Sequence, residues 1–230
     1  MQIIYSPNPV NLAREAVWVF LLMLQTIGEK QSTVTVGLSG GTSLLPFYET
    51  LRNSLSSVDA NLRQKIRFAF LDERFVPLDH SDSNYRLLSE VFFTPLLEKH
   101  LLSARQILPV RTDVINPTTE YSSRVPQIDI GLFGAGPDGH IASLFPNHPW
   151  LRERSEGYIL VHDSPKPPSD RISVSVPYVQ YIPSVFVFFI GEGKWEAYRR
   201  FLDPNINREQ CPAKYLLGCK ECVIVTDLKK

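Results

Sequence analysis

The chain has 230 residues, 43% of them hydrophobic, with 24 Lys and Arg against 24 Asp and Glu. That length supports one domain with a sizeable core, and residues 1–230 are read as a single domain. A formal charge of zero, with no basic run and no helix-turn-helix pattern, excludes nucleic acid as an expected partner and leaves small-molecule chemistry.

In chain order, an apolar strand over residues 2–5 precedes a helix over 8–27, opened by Asn8 and Pro9. Its apolar run, Ala16 to Leu24, is too short to span a bilayer and has neither the basic start nor the small-residue cleavage site of a signal peptide. A soluble, cytoplasmic protein without a membrane partner is expected. A strand over 33–38 runs through Ser39-Gly40-Gly41-Thr42 into a helix over 42–55, and a strand over 66–71 ends abruptly in Asp72-Glu73-Arg74. A helix over 84–97 follows, capped by Asp82 or Ser83. Residues 112–126 and 164–170, rich in Pro, Ser, Thr and Asp, read as exposed loops. Strands over 128–133, 158–161, 171–176, 185–190 and 222–226 and a helix over 194–202 complete the chain. Apolar, β-branched strands alternating with helices give an α/β fold with a mostly parallel central sheet.

Three turns carry chemistry. Gly134-Ala-Gly-Pro-Asp-Gly-His140 follows a buried strand, and loops at the carboxyl ends of strands in open α/β sheets are rigid yet open into a crevice. His140 is therefore the lead residue; Pro137 and the Asp-Gly-His that follows suit no dinucleotide-binding turn. Ser39-Gly40-Gly41-Thr42 reads as an anion cradle of backbone N–H groups and two hydroxyls at a helix start. The same stretch satisfies Gly-x-Ser-x-Gly, but a nucleophile elbow this early in the chain, with its histidine in mid-chain, runs against the usual order. The charges of Asp72, Glu73 and Arg74 suit either a solvated turn or a site. Cys211, Cys219 and Cys222 lack the four ligands of a structural zinc site and are expected to be buried, reduced thiols, so neither metal nor cofactor is expected.

Five segments in order resemble the 6-phosphogluconolactonase family over nearly the whole chain. They are Leu38-Ser-Gly-Gly-Thr42, Leu71-Asp-Glu-Arg-Phe-Val-Pro77 with Ser83-Asn84, the turn from Gly134 to Pro146, Arg171-Ile-Ser-Val-Ser-Val-Pro177, and Gly191-Glu-Gly-Lys194. The resemblance implies a Rossmann-like three-layer α/β/α domain. The reaction it implies is hydrolysis of 6-phospho-D-glucono-1,5-lactone to 6-phospho-D-gluconate, the second step of the oxidative pentose phosphate pathway. A functional link to glucose-6-phosphate dehydrogenase, which makes the lactone, is implied too. Leu44 stands where the family usually has proline, Thr42 replaces a common serine, and the segment before Ile128 looks too short for the helix often found there. The related glucosamine-6-phosphate deaminases resemble Asp-Gly-His-Ile-Ala-Phe-Asn-Glu-Pro at this turn, with a working glutamate where this chain has Phe145, and a tyrosine where it has Arg74.

A lactone hydrolase needs a positioned water, a base and a cationic surround for the oxyanion. His140 suits the base, oriented by Asp138 or Asp72, and Arg74 the charge stabiliser. By resemblance, Lys194 and Arg171 join Ser39, Gly40, Gly41 and Thr42 on the 6-phosphate. A module that only senses hexose phosphates would keep the phosphate loop and Lys194 without needing the Asp138-Gly139-His140 turn.

Overall fold

The computed structural model describes residues 1–229. Seven strands form one parallel sheet: β1 (Gln2–Tyr5), β2 (Val34–Leu38), β3 (Ile66–Phe70), β5 (Ile107–Leu108), β6 (Ile130–Gly134), β9 (Ser184–Phe189) and β10 (Glu221–Thr226). Their order is β1-β10-β9-β6-β2-β3-β5, and every pair is parallel. Strands covered on both faces should be continuously apolar, and β9, Ser-Val-Phe-Val-Phe-Phe, is buried at every residue. The long helix α1 (Pro9–Gly28) and α2 (Leu45–Ser54) pack on each other, and Phe20 and Phe47 meet edge to face. Helix α1 is long and apolar enough to cross a membrane by length and composition, although the Ala16 to Leu24 run alone is too short. Here it lays Ala16, Val17, Phe20 and Leu24 into the core. The α/β three-layer fold and its parallel sheet are as read from the sequence.

A second, antiparallel sheet of order β4-β8-β7 joins β4 (Asp72–Arg74), β8 (Arg171–Val174) and β7 (Tyr158–Val161). Its register sets Asp72 opposite Ser173 and Arg74 opposite Arg171. The charged residues after β3 are thus a strand rather than a solvated turn.

Three further expectations are corrected. Residues 112–126 are not all loop: α6 (Pro117–Arg124) lies there, so the segment before Ile128 does hold a helix. Polar Pro-Thr-Thr-Glu-Tyr-Ser-Ser-Arg conceals it, because one buried ring does the anchoring. The Tyr121 hydroxyl donates to Leu108 O at 2.7 Å and accepts from Phe70 N at 2.8 Å. The strand expected over 171–176 stops at Val174, since Ser175 caps α7 (Val176–Tyr181) by accepting from Tyr178 N. The helix expected over 84–97 is two segments, α4 (Asn84–Leu88) and α5 (Thr94–Glu98), joined by a π-helical turn at Ser89–Phe93. A short α3 (Ala60–Lys65), capped by Asp59, and α8 (Trp195–Leu202) complete the helices described.

From β2 the chain moves outward to β3, and from β6 it moves the opposite way to β9. Adjacent β2 and β6 therefore form a topological switch point, where loops diverge and leave a crevice at the carboxyl ends.

Candidate active site

The crevice is a cleft of about 180 Å³. Ser39, Gly40 and Gly41 line it after β2, and Gly134 to Pro137 with His140 after β6. Asp72, Arg74 and Arg171 reach it from the second sheet, Lys194 from the turn after β9. Eight of the ten residues singled out from the sequence thus share one cavity. Asp138 supports it from behind. Thr42 is exposed and does not line it; the tight turn at Thr42–Leu44 brings Ser43 inward instead.

The Ser-Gly-Gly loop leaves one buried hydroxyl unsatisfied. Ser39 is 4% exposed, and its Oγ has no hydrogen-bond partner, while Tyr48 holds the Ser39 carbonyl at 2.6 Å. Gly41 has φ of 108°, where a side chain is strained. A Cβ at Gly40 would collide with the Asn84 side chain, so this glycine serves close packing.

Glu73 ties β4 to α4. Fully buried, it accepts from Arg74 N at 2.7 Å, Asn84 N at 2.7 Å, Tyr85 N at 2.8 Å and Ser83 Oγ at 3.1 Å. Burial pushes its pKa up against the opposing pull of those N–H groups. This strut orients its neighbours. Asn84 Nδ2 donates to Asp72 O at 2.9 Å, and Ser143 Oγ donates to Asp72 Oδ2 at 2.8 Å.

His140 is oriented by Asp138, the alternative Asp72 being held by Ser143. His140 Nδ1 and Asp138 Oδ1 lie 2.5 Å apart. Gly136 makes the room, since a Cβ there would collide with the imidazole. With Nδ1–H donating to Asp138, Nε2 is the basic nitrogen. Burial lowers the His140 pKa despite Asp138, and Lys166 lowers it further. For Asp138 burial acts upward, but the His140 hydrogen bond and the charges of His140 and Lys166 hold it well below the carboxylate range. Phe145 packs beside the imidazole, its ring centroid 4.6 Å from that of His140.

Around this pair the cleft is cationic. Arg74 and Arg171 face one another in register, an arrangement that costs energy unless an anion or nearby carbonyls offset it. Arg74 donates from Nη1 to Asp82 O at 2.8 Å and keeps a buried, unpaired Nε. Arg171 donates from Nε to Pro168 O and from Nη2 to the carbonyls of Lys166 and Pro167, so it also holds the 166–168 loop. That loop carries Lys166, whose Nζ lies 3.3 Å from His140 Nδ1 and 3.6 Å from Asp138 Oδ1. Burial and the Lys166 charge lower the Lys194 pKa. Lys166, Ser43, Asn84 and Ser143 were not identified from the sequence as site residues. Lys166 was hidden by its Pro-rich surroundings, its one signal being a cation five residues before Arg171.

The three cysteines are free and buried, as expected. Burial pushes Cys219 up to about 12 and Cys222 to about 11, so neither is a ready thiolate. Cys211 Sγ lies behind Gly139, close enough to meet a Cβ there.

Comparison with known proteins is consistent across three measures. The family model described as glucosamine-6-phosphate isomerases/6-phosphogluconolactonase matches residues 7–225. A 6-phosphogluconolactonase of Borreliella burgdorferi is 31% identical over 209 residues, covering 88% of this chain and 87% of its own. That of Rattus norvegicus is 33% identical over 179 residues, covering 73% and 68%. Among solved structures, the Thermotoga maritima 6-phosphogluconolactonase has a TM-score of 0.82 at 23% identity, covering 98% of each chain. A monomeric glucosamine-6-phosphate deaminase has 0.78 at 19%, covering 99% and 97%, so the fold alone does not separate the two activities. Sequence does, through Phe145, Arg74 and the lactonase relatives above 30% identity, and on these grounds the chain belongs to the 6-phosphogluconolactonase family.

Proposed function

We propose that this enzyme hydrolyses 6-phospho-D-glucono-1,5-lactone to 6-phospho-D-gluconate by direct attack of water, with His140 as general base. The observation that carries the reading is the 2.5 Å Asp138–His140 pair beside a cleft lined by four cationic side chains. The 6-phosphate sits on Ser39 Oγ, Ser43 and the backbone of Gly40 and Gly41, with Lys194 and Arg171 supplying charge. His140 Nε2 takes a proton from water as the water oxygen bonds to C1, and Arg74 and Lys166 stabilise the resulting oxyanion. Collapse breaks the bond between C1 and the ring oxygen, and the imidazolium returns its proton to that oxygen. The new carboxylic acid ionises and releases one proton to solvent.

Isomerising and deaminating an amino sugar takes several proton transfers. The place of the deaminases' working glutamate is filled here by a ring packed on the imidazole. A cytoplasmic setting belongs to the same proposal and is supported by three free, buried cysteines. The test is acid release from freshly generated lactone, corrected for spontaneous hydrolysis. Catalysed release carries the proposal; binding of 6-phosphogluconate without turnover would make the chain a sensor instead.

A further inference from the structure

A second polar cleft lies at the other end of the sheet. About 540 Å³ in volume, it is walled by α3, the first residues of β3 and the loop 100–106. Arg63, Arg67, Arg105 and His100 line it, and among the described residues no carboxylate and no Phe, Tyr or Trp does. The chain is neutral overall, so this is charge segregated into one concavity rather than a share of a basic surface. No ion pair among the described residues involves any of these three arginines. Asp59, the carboxylate nearest Arg63 in sequence, is turned to the start of α3, where it accepts from Asn61 N and Leu62 N. A position in the last turn of α3 explains Arg63 alone through the helix dipole. It does not account for Arg67 on a strand or for Arg105.

Two of the three guanidinium groups, those of Arg63 and Arg67, are also held in place. Arg63 Nη1 donates to Val58 O at 2.7 Å and Leu55 O at 3.2 Å, and Arg67 Nη1 donates to Arg105 O at 3.0 Å. Gln106 ties the walls together. Its Nε2 donates to Arg63 O and Ile66 O, while its Oε1 accepts from Ser103 N and Oγ. Pre-ordered forks lose little entropy on binding, and their planar geometry matches phosphate oxygens. Among the described residues the lining holds no Phe, Tyr or Trp on which a base could stack, its one ring being the His100 imidazole.

We propose that this cleft binds a compact anion carrying two or more phosphate groups, at a site separate from the catalytic cleft. The test is calorimetric titration of the full chain with inorganic tripolyphosphate and, separately, with a hexose bisphosphate, each with excess 6-phosphogluconate present. Expected is one site per chain for at least one probe, the tighter one identifying an inorganic or a sugar-borne source. In Arg67→Gln/Arg105→Gln the dissociation constant should rise at least tenfold while lactone hydrolysis stays at the wild-type rate. Arg63 is left intact because it holds two carbonyls. Absence of binding by both probes, undiminished affinity in the double variant, or displacement by 6-phosphogluconate would overturn the proposal. The double variant leaves the catalytic cleft unaltered, so its loss of binding is readable even if 6-phosphogluconate proves to be no ligand.

Discussion

A carboxylate 2.5 Å from an imidazole ordinarily holds the ring protonated, but at His140 burial outweighs that pull and the neutral form is favoured. Activity should therefore rise with pH through a midpoint below the usual imidazole value of about 6.5 and stay level above it. The same sign governs stability. The unfolded chain binds this proton more readily, so the His140 contribution is present above about pH 6.5 and is lost as pH falls toward the lower folded value. Phe145→Glu sets a carboxylate beside the ring and should move the acid limb of the pH–rate profile upward; an unmoved limb would show that Phe145 does not tune the base. His140→Ala should lower catalysed hydrolysis by roughly 10² to 10⁴ with the fold intact, as followed by acid release and circular dichroism. More than a tenth of wild-type activity would remove His140 from its role. Ser39→Ala loses one hydrogen bond to phosphate and should keep substantial turnover, whereas a nucleophilic serine would leave the variant dead. Stoichiometric labelling of Ser39 by a fluorophosphonate would decide for the nucleophile.

Among the elements, α8 does more than cover the sheet. Arg200 on that helix donates from Nη1 to Asp138 O at 3.1 Å and from Nη2 to Gln210 O, while Ala213 N donates to Gly139 O at 2.9 Å. The turn carrying the proposed base is thus clamped from behind by residues more than sixty positions later in the chain. Arg200→Ala should cut turnover by up to about 10²-fold through misplacement of the imidazole, with KM nearly unchanged and partial recovery in Arg200→Lys. A rise in KM with turnover intact would place Arg200 in binding rather than positioning. Sequence reading located β2, β3, β6 and β9 well because fully buried parallel strands are continuous apolar runs. It missed α3, α6 and α7, short segments of six to eight residues fixed by a cap or a single aromatic anchor, Asp59, Tyr121 and Ser175 respectively.

Across the whole molecule, a neutral chain gathers Arg74, Lys166, Arg171 and Lys194 around one small cleft. Raising ionic strength from 0.05 to about 0.5 M should then increase KM with little effect on turnover, because screening weakens capture of the phosphate more than chemistry inside the cleft. Lys194→Ala should itself raise KM, by roughly 1.5–3 kcal/mol of lost charged hydrogen bonding, and flatten that salt dependence. Equal salt slopes in the variant and wild type would move the phosphate elsewhere. By itself the sequence determined the α/β class, the glycine-rich loops and the identity of most cleft residues, since apolar periodicity and turn chemistry are local properties of the chain. Tertiary structure alone decided that Asp138 rather than Asp72 orients His140, that Ser43 replaces Thr42 in the cleft, and that Lys166 enters it from a Pro-rich loop. Each of these depends on register and crossing between strands far apart in sequence: β4 on β8 brings Arg74 to Arg171, Arg171 holds the loop of Lys166, and no spacing along the chain encodes that meeting.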